Sequence, residues 1–161
     1  MKIIDLLFKI NKQNDTIVQC LNNVQLFENL SLYDLENLAE VITVKKFPEN
    51  AIIFKQNDEA DGLWIIEKGI LKIYMEIEEG KEIELTQLVD YNYFGEMALI
   101  QNAKRSASVK TIIPSTLYFL SKENFEKLIR KNLKTANKIL YNISRMLSKR
   151  LQESNIKFLS K

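Results

Sequence analysis

The sequence predicts a mixed β and α fold, an antiparallel, jelly-roll-like β-roll with helices before it and a long helix after it. Between Val41 and Leu120, apolar residues occur in at least seven short runs of strand-like composition, separated by polar turns. On both sides, apolar residues return at the three- and four-residue intervals of amphipathic helices. The chain has 161 residues, of which 46% are hydrophobic, so it is long enough for one domain with a sizeable core.

Two helical patterns precede the predicted strands. Residues 2 to about 23 predict one or two short amphipathic helices, with apolar residues at helical spacing: Ile3, Ile4, Leu7, Ile17, Cys20, Leu21 and Val24. The segment NLSLYDLENLAEVI gives a clearer helix start, because Ser31 followed by Asp34 has the spacing of a capping box. We therefore assign residues 1–30 to an N-terminal helical segment.

The predicted strands form the middle of the chain. They are VITVKKF, AIIF, LWIIEKG, ILKIYMEI, KEIELTQLV, SASVKTI and TLYFL. Turns are expected at Pro48-Glu49-Asn50, Lys68-Gly69 and Glu79-Gly80, which is the spacing of an antiparallel sandwich or barrel. A helix capped by Ser121 follows, so we assign residues 31–132 to the β-roll with its flanking helices.

The last predicted helix, residues 133–161, carries two apolar stripes. One has coiled-coil-like spacing and contains Leu133, Asn137, Leu140, Ser144, Leu147, Leu151, Ser154 and Phe158. The other contains Ala136, Ile139, Ile143 and Met146. A surface helix of a monomer needs only one apolar stripe. We interpret one stripe as covering the roll and the other as meeting a second copy in a homodimer; the alternative is a helix packed deeply on its own domain.

Composition excludes several kinds of chemistry. Cys20 is the only cysteine and there is no histidine, which excludes a disulfide framework, a multi-cysteine metal site within the chain and histidine-based acid–base catalysis. No nucleophile–base pair or metal cluster is visible, so we predict no enzyme activity, no catalytic or metal site and no cofactor. No apolar run approaches the roughly 18 residues that span a bilayer, and the chain start lacks a cleavage site. We therefore expect a cytoplasmic protein without membrane contact.

One stretch, YFGEMALIQNAKRSASVKT at residues 93–111, places two charged residues among core-type residues. Glu96 and Arg105 are unlikely occupants of a core unless something pairs with them. A helical turn after Gly95 would direct backbone N–H groups outward, and with an arginine these form a cradle for a phosphate. Glu96 would then accept hydrogen bonds from sugar hydroxyls. A ligand with both groups would satisfy both charges.

The segment FGEMALIQNAKRSASV resembles the phosphate-binding cassette of the cyclic nucleotide-binding domain, in which Phe-Gly-Glu and a short turn are followed by Arg-(Ser/Thr/Ala)-Ala. The resemblance extends from about Phe27 to Phe158. It implies that Glu96 and the Gly95 carbonyl bind the ribose 2′-hydroxyl and that Arg105 binds the cyclic phosphate. The other cradle residues that it implies are Met97, Ala98, Ser106 and Ala107. The alternative is a degenerate site in which the glutamate and the arginine pair with each other.

Two further segments, EEGKEIELTQL and SRMLSKRLQESNIKFL, are similar to the bacterial catabolite activator branch of this family. In that branch the long helix pairs two subunits and supplies polar residues to the purine, which implies that Ser154 and Asn155 contact the base. Leu85 and Thr86 would line its other side. The resemblance implies cyclic AMP as the ligand; cyclic GMP is the alternative, because a hydroxyl such as that of Ser106 can assist guanine.

The chain departs from the family pattern at turns. Asn50 and Asn57 stand where the family usually has glycine, so we expect a left-handed backbone at both positions. Asn102 replaces a frequent glycine or proline in the cassette turn. None of these substitutions removes an implied ligand contact.

The function implied by the resemblance is a stand-alone cyclic nucleotide sensor, which regulates an unidentified effector protein through ligand-dependent rearrangement of its helices. No recognition helix follows Phe158, so direct sequence-specific DNA binding is not expected. Three alternatives stay open. The chain could be the sensory part of a transcription regulator lacking its own helix-turn-helix, a trans-acting regulatory subunit of an enzyme or channel, or a scaffold that has kept only the fold.

Overall fold

A computed structural model of the chain describes residues 3–78 and 80–159, without the side chains of residues 3–11 and 157–159. It contains two four-stranded antiparallel sheets and four α-helices, which confirms the predicted β-roll with helices on both sides. The predictions that concern the side chains of Ile3, Ile4, Leu7 and Phe158, and the turn residue Glu79, lie outside the described residues.

The helices flank the roll at both ends of the chain. They are α1 (Ile3–Asn22), α2 (Leu32–Ala39), α3 (Lys122–Lys131) and α4 (Leu133–Leu159), with 3-10 helices at Gln25–Phe27 and Glu96–Leu99. The N-terminal pattern forms one helix rather than two. The predicted capping box of α2 is present, because Ser31 Oγ accepts from Asp34 N and Asp34 Oδ2 accepts from Ser31 N. Ser121 caps α3, as predicted.

Eight strands form the roll. They are β1 (Thr43–Phe47), β2 (Ile52–Phe54), β3 (Gly62–Lys68), β4 (Leu71–Glu78), β5 (Lys81–Leu88), β6 (Tyr93–Phe94), β7 (Ser108–Thr111) and β8 (Ser115–Ser121). One sheet has the order β1-β8-β3-β6 and the other β2-β7-β4-β5. The sequence did not predict β6, because two residues are too few to show an alternating pattern. Its pairing with Trp64 and Ile65 on β3 places the start of the cassette at the edge of the first sheet.

The core has two parts that share the strands β3 and β8. Leu63 and Ile65 belong to the part beneath the helices, whereas Trp64 and Ile66 belong to the part inside the roll. Alternate residues of a strand point to opposite faces, and both faces of β3 are covered here. This explains why Leu63 to Ile66 are all buried. The cassette follows β6, which pairs directly with this doubly covered strand.

Helix α4 uses the second predicted stripe to cover the domain. Ala136, Ile139 and Ile143 are each fully buried. The other stripe is only partly exposed, because Leu140 and Leu147 are half-buried and pack against the core beneath the helices. Leu140 directly follows Ile139, and Leu147 directly follows Met146. Successive residues of a helix are rotated by about 100° around its axis, so the two leucines lie at the margin of the surface that packs on the domain. Among the described side chains of that stripe, two large apolar ones remain exposed, those of Leu133 and Leu151.

A buried carboxylate joins α2 to the start of α4. Asp34 accepts hydrogen bonds from Ser31 Oγ at 2.8 Å, from Lys138 Nζ at 3.1 Å and from Thr135 Oγ1. Burial by itself raises the pKa of Asp34, but the donors from Thr135, Ser31 and Lys138 outweigh this effect and hold the pKa below its usual range. The first turn of α4 is therefore tied to the N-terminal helices.

Two asparagines adopt the predicted left-handed backbone. Asn50 has a φ of 60° and Asn57 a φ of 71°. Asn29 and Tyr91 also have positive φ values, and the sequence analysis did not anticipate either of them. Asparagine tolerates this region better than most residues, so the missing glycines do not distort the roll.

The described residues contain neither a membrane-spanning helix nor a cluster of metal-ligating side chains. No helix in this part of the chain has the length and hydropathy that crossing a membrane requires. No group of three or more histidine, cysteine, aspartate or glutamate residues among them is arranged to hold a metal ion.

Candidate functional site

The cassette begins with a sharp turn at Gly95. Strand β6 leads into Gly95, which has a φ of 77°, and the 3-10 helix Glu96–Leu99 follows. A Cβ atom at Gly95 would lie 2.3 Å from Arg105 Nη1 and 3.1 Å from Gly62 O. Glycine is thus required both by the backbone conformation and by the close approach of Arg105. The predicted helical turn after Gly95 is present.

Arg105 is buried in this turn, with 4% of its surface exposed. Its Nη2 donates to Asp61 Oδ1 at 2.7 Å and to Gly62 O at 3.0 Å, and its Nη1 donates to Gly95 O at 3.4 Å. Burial lowers the pKa of Arg105, and the neighbouring Asp61 opposes this effect. The Nε atom is buried and has no hydrogen-bond partner among the described residues. A buried donor left unpaired is costly, and an anion would satisfy it.

Glu96 is equally buried but has a different partner. Its Oε1 atom accepts a hydrogen bond from Arg150 Nη1 of α4 at 2.6 Å. Its Oε2 atom accepts none from the residues that the structure describes. Glu96 and Arg105 form no ion pair with each other; each has its own partner. The arrangement differs from that of a degenerate site in which the two charges neutralise one another.

A cavity of about 350 Å³ lies beside these two residues. Its apolar wall comes from inside the roll and includes Phe54, Ile73, Leu88, Phe94 and Val109. The rest of the lining includes all the cassette residues implied by the resemblance, namely Gly95, Glu96, Met97, Ala98, Arg105, Ser106 and Ala107. The volume lies within the range of about 300–1,000 Å³ that is usual for small-molecule sites.

The charge of the cavity wall favours an anionic ligand. The wall contains three cationic side chains, Lys104, Arg105 and Arg150, and one carboxylate, Glu96. The exposed side chain of Asp61 compensates Arg105 from outside the cavity. Arg105 and Arg150 each have a carboxylate partner, whereas Lys104 takes part in none of the described ion pairs. One phosphodiester charge would balance the wall.

Hydrogen bonds within the cassette determine which donors remain available. The N–H of Ala98 donates to Gly95 O at 3.1 Å, so it is already used in the structure. Among the described residues, neither the N–H nor the hydroxyl of Ser106 donates a hydrogen bond. Ser106 and Arg105 Nε therefore join Lys104 as donors without a described partner.

Comparison with known proteins decides the family. A sequence profile of the cyclic nucleotide-binding domain matches residues 44–132, which is more than half of the chain. The chain belongs to the cyclic nucleotide-binding domain family. The resemblance that the sequence indicated is thus confirmed. This family consists of regulatory ligand-binding domains rather than catalytic ones.

Three similar proteins illustrate the match. The type II regulatory subunit of cAMP-dependent protein kinase from Drosophila melanogaster is 37% identical over 112 residues, which are 69% of this chain and 29% of that protein. The cAMP-activated global transcriptional regulator CRP from Pasteurella multocida is 31% identical over 122 residues, 72% of this chain and 56% of that protein. A cyclic nucleotide-binding domain from Methylobacillus flagellatus superposes with a TM-score of 0.77 at 24% identity, covering 92% of this chain and 83% of that chain. The chain therefore spans less than two thirds of either sequence relative.

In this cyclic nucleotide-binding domain, only one of the four residues expected at the base lies in the cavity wall. Thr86 does, whereas Leu85, Ser154 and Asn155 do not. Leu85 is 51% exposed, like its neighbours along β5, and it is the extra residue of a β-bulge, in which Ile73 pairs with Thr86 and Tyr74 with Glu84. Base contacts by Leu85, Ser154 and Asn155 stay a prediction.

Helix α4 reaches the cavity of this domain through Arg150, one turn before Ser154. Ser154 and Asn155 are exposed. Sequence reasoning missed Arg150 and Asp61 as site residues, because their partners lie 54 and 44 residues away along the chain. Arg150 also belongs to a basic helix, whose charges indicate a solvated face on sequence evidence alone.

Proposed function

We propose that the chain is a non-enzymatic cyclic-AMP sensor, which regulates a partner protein through a ligand-dependent rearrangement of its helices. The observation that carries this proposal is that two buried charged residues, Arg105 and Glu96, line one cavity, and each has an atom without a described hydrogen-bond partner. Arg105 Nε lacks a partner there, and Glu96 Oε2 accepts no hydrogen bond from the described residues. A cyclic phosphate suits the arginine and Ser106, and a ribose hydroxyl suits the carboxylate.

Cyclic AMP is favoured over cyclic GMP by the relatives of higher identity. Both sequence relatives described above carry cyclic AMP in their names and are 37% and 31% identical, whereas the cGMP-dependent protein kinase 2 of Homo sapiens is 23% identical over 87% of this chain. The aromatic and aliphatic wall formed by Phe54, Ile73 and Leu88 offers an apolar surface for a purine, with Thr86 as a hydroxyl at its edge. The proposed effector is a protein that contacts the helices, since α4 supplies Arg150 to the cavity wall.

Titration with cyclic AMP tests the proposed function directly. Trp64 is the only tryptophan, and its ring stacks on Phe94 with a centroid distance of 6.4 Å and an angle of 8°. Because Phe94 lines the cavity, ligand entry should change the tryptophan fluorescence. We expect saturable binding by fluorescence and calorimetry, with weaker binding of cyclic GMP. Linear 5′-AMP, which lacks the cyclic phosphate, is the control. The proposal fails if cyclic AMP gives neither a heat signal nor a saturable fluorescence change.

We also propose that the sensor forms a two-fold homodimer through α4. The support is the exposed part of the coiled-coil-like stripe, where Leu133 is 59% and Leu151 63% exposed, with Asn137 and Ser144 exposed between them. In a parallel helix pair, exposed leucines would provide the contact and the polar residues would fix the register. Helix α4 is about 40 Å long, which is long enough for several such layers.

Paired substitutions of exposed leucines test the homodimer. We expect light scattering of the wild-type protein to show a dimer at micromolar concentration, and the Leu133→Asp, Leu151→Asp double variant to be monomeric, because carboxylates would face each other at the interface. The matched control is Ile77→Asp with Ile83→Asp, which changes residues that are 47% and 48% exposed on the roll. A wild-type monomer with and without nucleotide would rule out this interface.

A further inference from the structure

The outer side of α4 carries a row of basic residues around one tyrosine. The members of this basic stripe follow one another at intervals of four, three, four and four residues: Lys134, Lys138, Tyr141, Arg145 and Lys149. Residues at these intervals lie on one side of a helix. Lys138 is half-buried, and the other members are exposed. The basic stripe extends along about 22 Å of the helix.

The basic stripe occupies a third side of α4, apart from the two apolar stripes. Tyr141 lies about 160° around the helix axis from Ile139 and Ile143, which are buried against the domain. It lies about 80° from Leu133 and Leu151, the exposed leucines of the coiled-coil-like stripe. A homodimer formed through these two leucines therefore leaves the basic stripe facing solvent.

The positive charge of the basic stripe is only partly compensated. Lys138 Nζ lies 3.1 Å from Asp34 Oδ2. Arg145 Nη1 lies 3.8 Å from Glu28 Oε2, and both of these side chains are more than half exposed, so this pair is weak. The other two lysines of the basic stripe take part in none of the described ion pairs. Because α4 as a whole contains six basic residues and one acidic residue, this side of the helix is complementary to an acidic partner.

Large apolar side chains are exposed beside these charges. Tyr141 is 66% exposed in the middle of the basic stripe, and Ile156, also 66% exposed, lies on the same side two turns beyond Lys149. Tyrosine is enriched at the centre of protein interfaces. A shallow cleft of about 650 Å³ at the start of α4 is lined by Leu133, Lys134, Asn137, Lys138 and Tyr141. It offers a place for an apolar side chain of a partner.

The start of α2 enlarges this surface. The ion pair of Lys138 with Asp34 brings the first turn of α2 next to the basic stripe. Leu32 and Tyr33 directly precede Asp34 in the chain, and they are 63% and 66% exposed. Exposed apolar residues from two helices therefore lie near the same group of lysines.

This combination fits a protein segment better than a nucleic acid. Tight contact with a nucleic acid neutralises about 6 to 10 phosphates, which is more than the cations that the basic stripe contains. A duplex also presents phosphates but no apolar surface that would bury Tyr141 and Ile156. An amphipathic helix supplies both, because carboxylates three and four residues apart match the intervals of the basic stripe and the apolar face between them covers the exposed side chains.

We propose that the basic stripe and the apolar residues beside it are the docking surface for an acidic amphipathic helix of the effector protein. This proposal rests on the proposed function and deepens it, because it names the chemistry of the partner that the sensor regulates. In the complex, glutamate or aspartate residues of the partner face Lys134, Arg145 and Lys149. Apolar residues of the partner pack on Tyr141 and Ile156.

Fluorescence anisotropy with a labelled synthetic helix tests the docking surface. The probe is a peptide of about 20 residues, composed of leucine along one side, glutamate along both margins of that side and alanine elsewhere. The control peptide has lysine in place of every glutamate. We expect saturable binding of the acidic peptide to the nucleotide-free wild type and none of the basic peptide. The affinity should fall as salt is added, because exposed charges are screened.

Charge reversal locates the binding site. Lys134→Glu with Lys149→Glu should weaken binding of the acidic peptide at least about tenfold, because two exposed ion pairs are replaced by repulsion. Tyr141→Ala should weaken it about tenfold, as truncation of a central interface tyrosine does. The matched control is Lys46→Glu with Lys68→Glu, which makes the same change of net charge at exposed positions of β1 and β3. This control should bind the peptide as the wild type does.

Several results would overturn the docking surface. Equal weakening in the control and the α4 variant would show non-specific attraction between charges, and absence of saturable binding to the wild type would show that the basic stripe is a solvated face. Tighter binding of a duplex DNA of about 20 base pairs than of the peptide, lost in the α4 variant, would assign the surface to nucleic acid. Dissociation of a wild-type dimer by this variant, measured by light scattering, would assign it to a second copy. Calorimetry with cyclic AMP on the same samples tests the proposed function separately, since the peptide is titrated without nucleotide.

Discussion

Replacing Arg105 with alanine is expected to weaken cyclic-AMP binding by about 30- to 1000-fold. The substitution removes the buried side chain of a cavity-wall residue, whose Nε has no hydrogen-bond partner among the described residues. Losing a charge-assisted contact to a phosphate costs about 2 to 4 kcal/mol when the anion is left without its hydrogen bonds. Isothermal titration calorimetry measures the change. An affinity equal to that of the wild type would show that the phosphate does not bind at Arg105.

The same substitution should also lower the melting temperature of the unliganded protein. Arg105 donates to the carbonyl oxygens of Gly62 and Gly95, and alanine would remove both bonds; Gly95 O keeps a backbone N–H donor, so the loss falls mainly on Gly62 O. An unsatisfied buried carbonyl costs about 1 to 3 kcal/mol. Calorimetry must therefore be performed well below the melting temperature of the variant. Arg145→Ala is the control, because Arg145 is exposed and its nearest carboxylate, Glu28, is 3.8 Å away; it should alter neither property appreciably.

Replacing Gly95 with alanine should produce a second large loss of affinity. The new Cβ would lie 2.3 Å from Arg105 Nη1, a distance that no real contact tolerates, so the guanidinium must move. The left-handed backbone, with its φ of 77°, adds a strain of about 1 to 2 kcal/mol for any residue with a Cβ. We expect the affinity to fall towards that of Arg105→Ala, since both changes disturb the same donor.

Gly80 provides a control that separates strain from collision. Its φ of 76° is nearly the same as that of Gly95, but nothing lies within 4 Å of a Cβ placed there. Gly80→Ala should therefore lower the melting temperature through backbone strain and leave the affinity for cyclic AMP unchanged. If both alanine variants lose affinity equally, strain of the backbone rather than displacement of Arg105 explains the effect. If neither does, the cradle is not at Gly95.

The local sequence determined the features that depend on short-range chemistry. The capping box of Ser31 and Asp34 was predicted because it involves residues within one turn of the backbone. The left-handed turns at Asn50 and Asn57 were expected because the family that the sequence resembles usually has glycine there. The positions of Glu96 and Arg105 at one cavity were predicted for a similar reason, since both belong to one continuous cassette. The alternation of apolar and polar residues likewise indicated a roll rather than a helical bundle.

Only the tertiary structure decided how α4 meets the cavity. The rotation of α4 selects Arg150 as the partner of Glu96 and leaves Ser154 and Asn155 exposed. It also makes Leu140 and Leu147 part of the domain's own packing. A helical pattern specifies which residues share a face, but the orientation of that face depends on contacts with α2, α3 and the roll, which are distant in sequence. The bulge at Leu85 could likewise be located only in the tertiary structure. One extra residue moves the side chains that follow it to the opposite face of the sheet, and the pairing of β5 with β4 shows which residue is the extra one.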